Sequence, residues 1–221
     1  MNIIKKIAVG ALLCASILAV TASCAHPGEV EVKDFAYSVS FSTDISSFTQ
    51  EIIDVKTGES KGKYTVKFDE DTLYRIEYDA DGKTMYEVYI QNTDGVYTQY
   101  RNTYNDAGEP RGWKRSKVQR EVWVMNRKFL DGIDDNYGLD EFIKYDDFTF
   151  DDKEGVYRCE EIQAFFDGVY FTDVSIRFEN GKMTELDMVQ NFGDGKVKLV
   201  HTFAYGEGGI EVPENVLNAP R

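Results

Sequence analysis

Five dipeptides punctuate the chain: Asp81-Gly82, Asp94-Gly95, Asp167-Gly168, Asn180-Gly181 and Asp194-Gly195. Asn-Gly and Asp-Gly supply the positive φ angles of tight hairpin turns, so the segments between them are predicted to be antiparallel strands. Within each group the turns recur about every 13 residues, enough for one strand and one turn. Period-two alternation supports this. Tyr64, Val66 and Phe68 alternate with Lys63, Thr65 and Lys67, and Tyr74, Ile76 and Tyr78 alternate with Arg75, Glu77 and Asp79. Further on, Tyr170, Thr172, Val174, Ile176 and Phe178 form one face of a predicted strand, and Val197, Leu199, His201, Phe203 and Tyr205 form that of another. One apolar and one polar face is the pattern of a sheet wet on one side.

Between the two strand sets the periodicity changes. Ser116 followed by Gln119 reads as a capping box, and Val118, Val122, Met125, Phe129 and Leu130 recur at helical spacing before Gly132. A shorter segment with Leu139, Phe142 and Ile143 follows. The expectation is a β-rich α+β domain: a curved antiparallel half-barrel of two meanders, with two helices between them covering one face.

The N-terminus has another character. Lys5 and Lys6 precede the apolar run Ile7 to Val20, and then come the small residues Thr21, Ala22 and Ser23 before Cys24. This three-part layout predicts a secretory signal over residues 1–23. As a helix the run would be about 21 Å long, short of the roughly 30 Å hydrocarbon thickness. The residues before Cys24 resemble the lipobox of bacterial lipoproteins, with Thr21 in place of the usual leucine. That resemblance implies a diacylglycerol on Cys24, which would become the mature N-terminus. Two alternatives stay open: cleavage after Ala25 without lipidation, and a retained anchor recruiting the uncharged residues through Ala25. Residues 24–29 then form a short tether, 30–216 one domain and 217–221 a tail. The protein is expected on the outer face of the cell membrane, or on an outer membrane where one exists, with the lipid on Cys24 as its membrane partner.

Composition excludes several functions. The net charge is −14, and loss of Lys5 and Lys6 with the signal, where no acid stands, takes it to −16. Such a balance repels phosphate backbones and anionic head groups, so nucleic acid is not expected as a partner. Cys14 leaves with the signal, so a disulfide would have to join Cys24 to Cys159, and Cys159 reads more simply as a small hydrophobe. Of the two histidines, His26 lies near the proposed lipid site and His201 on an apolar face, as a core histidine would. Glu77, Asp79, Asp81 and Gly82 begin like a calcium loop, but Val88 stands where the twelfth-position acid belongs, and a hairpin explains the same residues. Asp146, Asp147, Asp151 and Asp152 form an acidic cluster that reads as solvated loop. With no nucleophile, dinucleotide, phosphate-loop or metal motif, neither catalysis nor a cofactor is expected.

Three segments, SSFTQEIIDVKTGE (Ser46 to Glu59), LYRIEY (Leu73 to Tyr78) and NTDGVYTQY (Asn92 to Tyr100), resemble the LolA/LolB-type lipoprotein-carrier superfamily, which includes mycobacterial lipid-binding lipoproteins. The ending VHTFAYGEGGIEVPEN, Val200 to Asn215, resembles the C-terminal strands of lipoproteins from low-GC Gram-positive bacteria. The family's N-terminal helix has little room here, because Val30 to Phe41 reads as strand. The resemblance implies a curved half-barrel with helices at its mouth and an acyl chain or lipid as ligand. The residues expected to line such a cavity are Tyr74, Ile76, Tyr78, Val88, Val174, Ile176 and Phe178 of the sheet, with Phe129 and Phe142 of the helices. The alternative is an envelope interaction module whose polar, acidic sheet face binds a protein or glycan.

Overall fold

The computed structural model describes residues 28–39, 45–127, 143–163, 169–192, 195–206 and 209–221. In chain order these form α1 (Val32–Val39), β1 (Ile45–Asp54), β2 (Ser60–Phe68), β3 (Thr72–Asp79), β4 (Thr84–Thr93), β5 (Val96–Thr103), β6 (Lys114–Val118), α2 (Arg120–Arg127), a 3-10 turn (Tyr145–Asp147), β7 (Thr149–Asp151), β8 (Val156–Gln163), β9 (Val169–Glu179), β10 (Lys182–Phe192), β11 (Gly195–Tyr205) and α3 (Glu214–Leu217). The eleven strands make one antiparallel, curved, open sheet in the order β6-β5-β4-β3-β2-β1-β11-β10-β9-β8-β7. The first and last strands in sequence therefore meet in the middle, with Phe48 opposite Phe203 and Ile52 opposite Leu199. The outer strands β6 and β7 are the two edges.

Turn chemistry explains the tight connections. Asp94 and Gly95 both have positive φ (51° and 80°), as do Asn180 and Gly181 (52° and 76°), the conformation of a two-residue hairpin turn matched to strand twist. Gly62 marks a register shift in the β1–β2 pairing, and a Cβ there would lie 2.8 Å from the Tyr78 carbonyl oxygen. Only glycine fits that approach. Asp167-Gly168 and Asp194 lie outside the described residues.

One face of the sheet, here the inner face, carries the main core. Phe48, Val66, Leu73, Val88 and Ile90 from one half and Tyr157, Val174, Ile176, Phe178, Leu186, Met188, Leu199 and Phe203 from the other belong to a single buried cluster. Phe35 of α1, Trp123 of α2 and Ile143 join it. No helix among the described residues is long and apolar enough to cross a membrane.

Three sequence expectations are corrected. The strand expected over Val30 to Phe41 is not formed within its described residues, since Val32–Val39 is α1. Its alternating apolar residues fit a strand, but tertiary packing decides. Phe35 is fully buried against the rings of Tyr145, Phe148, Tyr157 and Phe178, with centroids 5.3–5.4 Å away. Next, Ser116 and Val118 belong to β6 and α2 begins at Arg120, so the capping box does not form. The segment pairs with β5, Val118 opposite Tyr97, and on α2 it is Trp123 that is buried while Met125 is 66% exposed. Finally, Tyr170 and Thr172 do not share a face with Val174. Asp173 has φ 53° at a register shift between β9 and β10, and this extra residue turns Phe171 inward and leaves Tyr170 exposed. Phe129, Leu130, Leu139 and Phe142 lie outside the described residues.

Candidate functional site

Antiparallel register assigns each expected ligand-lining residue of the sheet to a face, while Phe129 and Phe142 lie outside the described residues. Val88, Val174, Ile176 and Phe178 are on the inner face and fully buried within the main cluster. Tyr74, Ile76 and Tyr78 are on the opposite, outer face. Their neighbours Leu73, Arg75 and Glu77 point inward, because Arg75 pairs with Val66 and Val88 across the sheet. Alternation alone does not say which face is covered. The inward charges are satisfied: the Arg75 Nε is 2.7 Å from Glu77 Oε1, and the guanidinium lies 4.2 Å from the centre of the Tyr64 ring. The sheet thus brings Val88 together with Val174, Ile176 and Phe178 and separates all four from the three tyrosine-strand residues.

At the centre of the inner face, where β1 meets β11, sits a buried polar network. His201 is fully buried, with Nδ1 2.9 Å from the Leu186 carbonyl oxygen and Nε2 3.1 Å from the Gln50 side-chain oxygen. The Tyr64 hydroxyl donates to the same Gln50 oxygen at 3.0 Å. Acceptors at both ring nitrogens suit an imidazolium, or a neutral ring with the Gln50 amide turned end for end. His201 is thus tied into the sheet that surrounds it. It fixes polar register at the seam rather than standing ready as a catalytic base.

The outer face has its own organisation. Glu87 on β4 accepts the Tyr74 hydroxyl at 2.8 Å on one oxygen and the Tyr104 hydroxyl at 2.7 Å on the other. Burial and then the adjoining Glu87 push the Tyr74 phenol well above its ordinary range and the Tyr104 phenol up to about 12. Both phenols therefore stay protonated and act as donors. Asn102 donates to Tyr104 at 3.3 Å. Beside this cluster the C-terminal segment folds back on the sheet. Val212, Val216 and Ala219 bury against Tyr100, with Tyr89 and Trp113 packed alongside. The Ile210 N–H donates to Asp69 Oδ2 at 2.8 Å, and the Arg115 N–H to the Pro220 carbonyl at 2.8 Å.

The residues that read as a calcium loop form a hairpin. Asp79 Oδ1 accepts the backbone N–H of Asp81 at 3.0 Å and of Lys83 at 2.8 Å. Asp151, of the acidic cluster, is bound to the Lys153 N–H at 3.0 Å and to the Arg158 Nε at 3.3 Å. Burial raises its pKa, but these donors outweigh it and hold the carboxyl below its ordinary range. Cys159 is half-buried against the inner cluster and its thiol points to the Glu161 carbonyl oxygen at 3.3 Å, with burial raising its pKa. A protonated thiol of this kind is a poor nucleophile.

Sequence reasoning passed over one feature. Between Pro110 and Glu121 there are five cations and no acid, in a chain with 39 acids. Summing charge over the whole chain hides this segment, whereas a sliding count would find it. No protein-family model matches the chain, and no curated protein matches it.

Proposed function

We propose that this protein is an extracytoplasmic lipoprotein, held at the membrane by an acylated Cys24, whose curved sheet acts as a half-barrel that binds an acyl chain or another apolar ligand on its inner face. The observation that carries this reading is the extent of the inner cluster. Aromatic and aliphatic side chains from both halves of the sheet form one buried cluster around the polar seam of Gln50 and His201. Above it, α1 and α2 are only eight residues each. Short helices resting on a sheet are held mainly by tertiary contacts and open at lower cost than the sheet itself. The N-terminal lipobox-like segment and the resemblance to the lipoprotein-carrier superfamily support the same reading. No catalytic role belongs to it: Val88, Val174, Ile176 and Phe178 offer only apolar contact.

Uptake of a fluorescent fatty acid by the purified protein, followed by displacement with unlabelled fatty acid and by native mass spectrometry, tests the proposal. Saturable, displaceable uptake with a ligand-bound mass is expected. A ligand-free spectrum together with no uptake would make the inner face a dry core.

A further inference from the structure

The cations of residues 111–120 stand apart by their clustering, five within ten positions and no acid among them. Elsewhere several basic side chains meet acids, Lys61 with Asp54, Arg75 with Glu77, Arg158 with Asp151, Arg177 with Glu185 and Lys198 with Asp187, while cations without an ion pair among the described residues, such as Lys56, Lys67 and Lys153, stand close to acids in the chain. Arg111, Lys114, Arg115, Lys117 and Arg120 form no ion pair among the described residues. All but the half-buried Arg115 are exposed. Lys114 also faces Arg101 directly across the β5–β6 ladder. Like charges opposite one another on a sheet work against folding, so this edge keeps an arrangement that stability alone would remove.

Exposed apolar side chains accompany these charges. Tyr97 rests on Trp123 at 5.8 Å between centroids, which brings α2 beside the β4–β5 hairpin. There Met125 is 66% and Val96 46% exposed. Cations bordering exposed apolar groups are the composition of an interfacial contact, with head-group phosphates met by Lys and Arg and the acyl boundary met by the apolar groups. The opposite edge of the sheet, β7 and its flanks, carries Asp146, Asp147, Asp151, Asp152 and Glu154. The two edges therefore differ in sign, and a negative surface would attract one while repelling the other.

We infer that the β6 edge, with Arg101, Arg111, Lys114, Lys117 and Arg120 and with Met125 of α2 beside them, docks on an anionic phospholipid surface. The net negative charge of the chain then acts as an orienting force, because only this edge can approach. The inference goes beyond a lipid anchor on Cys24 and is independent of it.

Partition of the full chain into vesicles tests it. Vesicles of pure phosphatidylcholine are compared with vesicles containing about a third phosphatidylglycerol, and the ratio of the two partition coefficients isolates the charge-dependent part. A preference of roughly ten-fold or more for the anionic vesicles is expected, falling away in about 0.5 M salt. The triple variant Lys114→Glu, Lys117→Glu, Arg120→Glu should lose the preference. An equal-charge control, Lys56→Glu, Lys153→Glu, Lys196→Glu, should keep it. A milder set with glutamine at positions 114, 117 and 120 serves if charge reversal disturbs the circular dichroism spectrum, and should also lose the preference. Equal partition of the unaltered chain, or a preference that survives the substitutions in β6 and α2, would overturn the inference. A failed anchor would instead lower partition into both kinds of vesicle and leave their ratio unchanged.

Discussion

Asp54, Asp69, Asp79 and Asp151 each stand at or just beyond the end of a strand and accept backbone N–H groups from the turn that follows. Much of the acidity that looks like a functional signal is thus turn chemistry. Asp54 shows it most clearly. The Lys61 ammonium at 2.7 Å, followed by the N–H groups of Thr57 and Lys56, lowers its pKa from 3.8 to about 2. A folded-state pKa below the unfolded one gives stability that is present above about pH 4 and lost as the pH falls toward 2. Asp54→Asn keeps an acceptor for the turn but removes the charge. Urea unfolding should find this variant less stable than the unaltered chain at neutral pH, with the difference closing between pH 4 and 2. A difference independent of pH would assign the effect to turn geometry instead. At this scale the sequence reveals which residues make turns, because Asp-Gly and Asn-Gly act locally. It does not reveal that Tyr74, Ile76 and Tyr78 face outward, since that depends on what covers each side.

Among the elements, α1 departs furthest from its sequence pattern. Val30 and Val32, and then Phe35, Tyr37 and Val39, each recur at every second position as in a strand. Phe35 decides the outcome by filling a site among four rings. The chain before α1 is tied to the same place, where the Val30 N–H donates to the Tyr157 hydroxyl at 3.0 Å and the Tyr157 hydroxyl to the Val30 carbonyl at 3.1 Å. Phe35→Ala removes a fully buried aromatic ring, so a loss of about 3 kcal/mol in unfolding free energy is expected from chemical denaturation. A loss under about 1 kcal/mol would show α1 to be an accessory to the sheet. Long-range packing of this kind leaves no period in the sequence. The strands β2, β3, β9 and β11 are legible from period-two alternation, which fails in β9 only on the far side of the bulge at Asp173. The segment of β6 resembles a helix in sequence because an edge strand, paired on one side, carries the weakest alternation in a sheet.

At the scale of the whole molecule, the proposed location rests on the N-terminal residues, and the architecture on the strands. The proposed anchor predicts that Cys24→Ala releases the protein from the membrane fraction into the medium or periplasm, as fractionation and immunoblotting would show. Retention in the membrane pellet would favour an uncleaved apolar segment. The β-rich character was legible from turn spacing, while the partition of charge between the two sheet edges was not, because it needs the strand order. That order has a further consequence. Gln50 and His201, hydrogen-bonded at the seam, are 151 positions apart. A chain threaded through a membrane N-terminus first presents β1 with Ile45, Phe48 and Ile52 long before β11 arrives to pair with it. Until then the future centre of the sheet is a free edge with apolar side chains on one side, the form of strand most prone to pair with another chain. The hairpins of each half can form from nearby residues, but the sheet becomes one body only when its last strand is delivered.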